Sequence, residues 1–167
     1  MLQLGNWYEI KDGDMRGRDM LNRHYSARHY RTRRPKLFVG PGEKMVLMTP
    51  NSDAIFVWRK FKSDDGQQGI NCAVFRNESP ILSSDLIKEA MELAWNRWSD
   101  ARLYTYVNPK RIKSVNPGYC FKRAGWSVCG ETKSGLVVLE ARPSNKRIQP
   151  TPTRKPLDER YAAWSPQ

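Results

Sequence analysis

Cysteine and histidine are scarce in this chain, with three Cys and two His in 167 residues. Cys72, Cys120 and Cys129 are an odd number at spacings of 48 and 9, which provides no disulfide framework. His24 and His29 add no CxxC or HxxxH pattern, so no metal site is expected. Apolar runs are short, and none nears the ~18 residues that a membrane span requires. The opening stretch MLQLGNWYEIKDGDM has neither a basic n-region nor an apolar h-region. These absences predict a soluble, cytoplasmic protein without membrane contact.

Acidic residues are also few, 17 Asp+Glu against 29 Lys+Arg, for a formal charge of +12 and a pI near 9.9. Such a balance points to a polyanionic partner. Hydrophobic residues make up 39% and the mean hydropathy is −0.73, low for a compact domain. Six Trp, seven Tyr and five Phe nevertheless offer large apolar bodies for a core, and the length suits one domain.

The positive charge is concentrated. Residues 16–36 hold eight basic side chains against Asp19 alone, a net +7. The segment LNRHYSARHY interleaves Tyr25 and Tyr30 with histidine and arginine, and Asp19 is positioned to cap a helix from Met20 toward Ala27. From Pro143 the chain becomes PSNKRIQPTPTRKPLDERYAAWSPQ, with five of the eleven prolines and no apolar period. The expectation is therefore a domain over 1–142, with its basic helical segment at 16–36, and a disordered Pro-rich basic tail over 143–167.

Between these segments the pattern is that of an α/β domain. MVLMT (45–49), AIFVWRKF (54–61) and INCAVFR (70–76), separated by Asn-, Asp- and Gly-bearing turns, predict an antiparallel meander. Leu86, Ile87, Ala90, Met91, Ala94 and Trp98 then recur at helical spacing behind Ser83 and Ser84, predicting a helix of about four turns. RLYTYV (102–107) predicts a further strand, 119–124 a short helix ending at Gly125, and WSVCGET (126–132) with LVVLEAR (136–142) a closing hairpin. Two helical crossovers predict parallel neighbours in a mixed sheet of about six strands.

This order, with Phe121-Lys-Arg-Ala124-Gly125-Trp126 closing the short helix and Asn116 upstream, resembles the GNAT acyltransferase fold and its "Tyr-x-x-x-Gly-Phe" ending. The resemblance covers roughly residues 45–140. It implies a mostly antiparallel central sheet with helices on both faces, and an acyl-CoA or related acyl donor as cofactor. Within that fold the chain is similar to phage Mom-type DNA modification proteins. The likeness lies in His24-Tyr25-Ser26 before a basic stretch and a proline, and in Asn77-Glu-Ser-Pro-Ile-Leu-Ser83-Ser84-Asp85. The second resemblance implies transfer of a small acyl-type group to a base amine, adenine in particular, in the DNA of a bacterial or phage-infected cell. It points to His24, Tyr25 and Ser26 as catalytic and to Asn77, Ser83, Ser84 and Asp85 as donor contacts. The GNAT resemblance adds Asn116 and Phe121 to the donor contacts, and the alternation of the 102–107 strand adds Tyr106 and Asn108 to the catalytic candidates. Two departures stand out. No glycine lies between Asn71 and Asn116, where the family's phosphate loop is glycine-rich, and Phe121 takes the position of the family's acid tyrosine without its hydroxyl.

Residue chemistry leaves alternatives open. Arg23, Arg28, Arg31, Arg33, Arg34 and Lys36 are phosphate contacts or a solvated face. His24 titrates near neutrality and is a general base or a structural hydrogen-bonding residue. Ser26 is a nucleophile or a surface hydroxyl. Tyr104 and Tyr106 share one strand face and either pack or line a cleft ending at Asn108. Asn77 is a substrate amide or a turn residue. The cysteines are expected to be buried and inert, and Trp58 to be core or a stacking platform. The functional alternatives to a DNA-modifying transferase are a non-enzymatic nucleic-acid-binding protein and an acyltransferase acting on a small amine or protein.

Overall fold

In the computed structural model the described residues are 3–22, 39, 42–60, 62–110 and 116–143. Among these residues eight strands form one sheet. They are β1 (Gln3–Leu4), β2 (Trp7–Ile10), β3 (Glu43–Met48), β4 (Ala54–Lys60), β5 (Ile70–Asn77), β6 (Leu103–Val107), β7 (Ser127–Glu131) and β8 (Val137–Ala141). Three helices interrupt them: α1 (Met15–Asn22), α2 (Ser83–Arg97) and α3 (Tyr119–Arg123). The sheet order is β1-β2-β3-β4-β5-β6-β8-β7.

All six expected strands form. The additional pair, β1 and β2, turns at Gly5 and Asn6 and lays Tyr8, Glu9 and Ile10 antiparallel to Met48, Leu47 and Val46. Of the two expected parallel neighbours, only β5 with β6 exists. The second crossover, through α3, delivers β7 to the sheet edge, and the hairpin returns β8 between β7 and β6 so that both contacts are antiparallel.

Helices cover both faces. On one, Leu86, Ile87, Ala90, Leu93 and Ala94 of α2 and Phe121 of α3 pack on Trp7, Phe56, Trp58 and Leu139. On the other, Met20 of α1 closes a smaller cluster with Ile10, Val46, Met48, Ile55 and Val57. Asp19 is not a cap, because it lies inside α1. Asp14 holds that position, accepting the Arg16 backbone N–H on its carboxylate at 3.0 Å. The short helix ends as expected: Gly125 takes φ +101°, its N–H bonds the Lys122 carbonyl, and the Trp126 N–H bonds that of Phe121.

Indole N–H groups tie α2 to its surroundings. Trp7 donates to the Leu86 carbonyl at 2.8 Å, Trp58 to that of Ala90 at 3.0 Å and Trp126 to the Met91 sulfur at 3.1 Å. Trp98 donates to Glu43 at 3.0 Å. Trp58 is fully buried and is thus a core residue, not a stacking platform.

The β5–β6 junction begins at Gly69. Its φ is +127°, and a Cβ there would collide with the Arg102 carbonyl, the acceptor for the Ile70 N–H at 2.8 Å. Gly66, at φ +84° in the same turn, faces open space. Gly69→Ala is therefore expected to cost about 1–3 kcal/mol more than Gly66→Ala, as read from urea unfolding midpoints. Equal costs would refute this account of the junction.

Candidate functional site

β5 and β6 pair over three positions only: Ile70 with Leu103, Asn71 with Tyr104 and Cys72 with Thr105. Beyond them the strands part. The cause is a β-bulge. Against β4, Trp58 faces Cys72 and Val57 faces Val74, which leaves Ala73 as the extra residue. Ala73 is exposed although it sits in a central strand. The bulge also switches the side-chain alternation, so that Ile70 and Cys72 face α2 and Phe75, not Val74, continues that face. The Thr105 hydroxyl donates to the Cys72 carbonyl at 3.0 Å and closes the ladder where the seam opens. Past Ala73, no described strand pairs with β5 on the β6 side, so alternate backbone amides there lack a ladder partner among the described residues.

The seam leads to the start of α2, through a loop organised by Asn77. The Asn77 amide donates to the Ile81 carbonyl at 2.7 Å and to the Ser83 hydroxyl at 3.0 Å, and its oxygen accepts the Ser79 N–H at 2.9 Å. This is turn chemistry. The first helical bond runs from the Asp85 N–H to the Leu82 carbonyl, so the amides of Ser83 and Ser84 precede the helical ladder. The donor set fits a diphosphate poorly. Ser84 is buried, and the exposed Asp85 carboxylate already complements the helix dipole and repels an anion, leaving only the Ser83 hydroxyl, which accepts from Asn77 and keeps its own proton to donate. A coenzyme A diphosphate therefore finds no cradle here.

Phe121 is buried against Phe75 and Trp126, so it shapes the core beneath the seam and presents no polar atom. Asn116 accepts Lys122 Nζ at 2.6 Å and the Tyr119 N–H on its carbonyl at 3.1 Å, fixing the entry to α3. Asn108 accepts the Lys110 N–H at 3.0 Å, a turn role. Of the expected donor and cleft residues, Asn77 and Ser83 are thus brought into direct contact and Asn116 and Asn108 serve local turns. His24, Tyr25, Ser26, Arg23, Arg28, Arg31, Arg33, Arg34 and Lys36 lie outside the described residues.

Tyr104 and Tyr106 share a face as expected, with ring centroids 5.8 Å apart, but it is the face opposite α2. Tyr106 donates to Asp65 at 2.6 Å. Tyr104 is fully buried, with the Arg102 guanidinium 5.1 Å over its ring, and its hydroxyl has no partner. Asn71, paired with it in register, has a buried side-chain oxygen that is likewise unbonded. Neither Asn71 nor Asp65 carries a local pattern in the sequence that marks it, since the burial of a polar strand residue depends on what later covers it.

The thiols divide. Burial pushes Cys72 far above the ordinary thiol range and Cys120 up to about 11, so both are neutral and inert at physiological pH. Cys129 is exposed on the edge strand β7, contrary to expectation, because that strand has every side chain open to solvent. No group of three or more His, Cys, Asp or Glu arranged to hold a metal occurs among the described residues, and none of their helices is long and apolar enough to cross a membrane. Comparison with protein-family models, with curated proteins and with solved structures finds no match.

Hydrogen bonds from Ser63 and Tyr106 hold the Asp65 carboxyl below the usual carboxylate range. Such a group favours folding above its unfolded pKa of about 3.9, and that contribution disappears as pH falls through the lower folded value. Tyr106→Phe is expected to move the Asp65 titration, followed by carboxyl NMR, upward toward 3.9. An unmoved midpoint would count against the Tyr106 bond.

Proposed function

We propose that this protein is a GNAT-fold transferase, similar to phage Mom-like proteins, that modifies a base amine in DNA, adenine in particular, with a small acyl-type group. The observation that carries the reading is the parallel β5–β6 pair opened at the Ala73 bulge. A gap between parallel central strands accepts an extended donor edge-on, with strand amides as hydrogen-bond donors. Those amides, between Val74 and Asn77, would stabilise the oxyanion formed when an amine nitrogen attacks the acyl carbonyl; its collapse breaks the carbonyl's bond to the donor, which leaves as an anion or after taking up a proton. Holding donor and acceptor in one gap also provides much of the acceleration by proximity. The start of α2 favours an acyl donor without a diphosphate bound there.

Charge supports the nucleic-acid half of the reading. Thirteen of the 29 Lys+Arg but two of the 17 Asp+Glu lie outside the described residues, leaving the described body at a net +1. Arg28, Arg31, Arg33 and Arg34 would grip phosphates, Tyr25 or Tyr30 would stack on an extruded base, and His24 would take the proton from the attacking amine. A DNA-binding protein without catalysis is the second reading, favoured by the Asn77–Ser83 closure and the apolar Phe121.

Mass spectrometry of nucleosides from cells expressing the protein separates the two. A modified nucleoside is expected with the wild type and not with His24→Ala or with Ala73→Trp, which fills the seam. Unmodified nucleosides under good expression would sink the transferase reading. Duplex affinity is expected to fall with salt at a log–log slope of roughly −4 to −5. Charge reversal of Arg28, Arg31, Arg33 and Arg34 should flatten that slope by about 4, and an unaltered slope would remove these residues from the DNA contact.

A further inference from the structure

At the opposite end of the sheet from the seam, where β3 and β5 begin and β4 and α2 end, lies an open cavity of about 730 Å³. Its walls include Glu43, Lys60, Lys62, Arg97, Trp98 and Arg102. We infer that this cavity is a binding site for phosphate groups, separate from the seam.

Four cations face a single carboxylate in the lining, so positive charge remains in excess there. Glu43 accepts the Trp98 indole N–H, which also fixes the ring in the wall. The two arginines are held in place from behind. Arg97 makes two bonds to Glu9, at 2.6 and 3.1 Å. Arg102 bonds Glu140 at 2.7 Å, the Gln68 carbonyl at 3.0 Å and Cys129 at 3.4 Å, and its guanidinium holds the Glu140 carboxyl below the usual range. Their charges are largely matched, so they make a rigid, hydrogen-bonding wall.

Lys60 and Lys62 differ. Both are exposed and neither forms an ion pair among the described residues. Lys60 stands directly across from Glu43 in the strand register, yet Glu43 points to Trp98. Two ammonium groups free to turn, facing a fixed guanidinium wall, suit the tetrahedral oxygens of a phosphate, which lysine meets as a mobile point charge. The volume is within the range that admits a nucleotide-sized ligand. The inference holds whether or not the seam is catalytic.

Phosphate of this kind has two sources, a free nucleotide or the backbone of a nucleic acid strand. Isothermal titration of the full chain with pyrophosphate, a nucleoside triphosphate and a short single-stranded oligonucleotide tests both. Measurements on the wild type are paired with the chain reversed at Arg28, Arg31, Arg33 and Arg34, which removes the contribution of that segment. Pyrophosphate is expected to bind in both backgrounds and to weaken at least about tenfold in Lys60→Glu/Lys62→Glu. Lys60→Gln/Lys62→Gln should give a smaller loss in the same direction, and Lys88→Glu, on the exposed side of α2, none. Parallel weakening of the oligonucleotide identifies nucleic acid as the source, and weakening confined to the triphosphate identifies a nucleotide. No pyrophosphate binding, or binding undiminished in both lysine variants, would overturn the inference. Nucleoside modification lost or kept in these variants bears only on the transferase reading.

Discussion

Four indole N–H bonds fix the position of α2, and the rest of the molecule takes its geometry from that helix. Trp7 and Trp58 reach from β2 and β4 to the carbonyls of Leu86 and Ala90, one helical turn apart. Trp126, beyond α3, reaches Met91, and Trp98 reaches β3 at Glu43. A tryptophan donates one hydrogen bond at the end of a large apolar body, so each of these contacts buries area and fixes direction together. A core built from Leu and Val alone would bury α2 without setting its rotation or its height on the sheet. The aromatic content thus offsets the low overall hydrophobicity, because a few residues contribute both area and specificity.

A fixed α2 is what allows the sheet to be split. β1 to β5 form one antiparallel unit and β6 to β8 another, and the two meet across three residue pairs. Three pairs are a weak seam by themselves. The helix spans both halves from above, packing on Trp58 of one and Leu103 of the other, so the gap beyond Cys72 can stay open without the halves separating. Cys72 is the turning point: its carbonyl is satisfied by Thr105, its thiol is buried and inert, and the next residue, Ala73, is the bulge.

The elements were legible in the sequence because each carried a clean period. The stripe from Leu86 to Trp98 and the alternation of LYTYV have one plausible partner surface each, and both form as read. The seam was not legible. Its cause is a one-residue change of parity in INCAVFRN, and four consecutive apolar residues, Cys72 to Phe75, conceal it. The β1–β2 hairpin went unread for a different reason: β1 is two residues long, and its role depends on Trp7 finding a helix carbonyl 79 positions away. At the candidate site, Asn77 could be read as a ligand or as a turn residue, and the choice between them lies in the Ser79, Ile81 and Ser83 atoms around it, which no local pattern specifies. Asp19 failed as a cap because Asp14, five residues earlier, already satisfies the first turn.

Charge within the described residues is nearly balanced. The described body holds 16 basic and 15 acidic residues, and several of these are matched in pairs such as Arg97 with Glu9, Arg102 with Glu140 and Lys44 with Asp12. Among these residues self-repulsion is small, and salt has little net field of theirs to screen. The other 13 basic residues lie outside the described residues. A body held together by indole bonds and apolar packing keeps its geometry at the ionic strengths that weaken phosphate contacts. Under the proposed function, affinity for DNA would therefore vary steeply with salt while the packing around β5 and β6 stays the same.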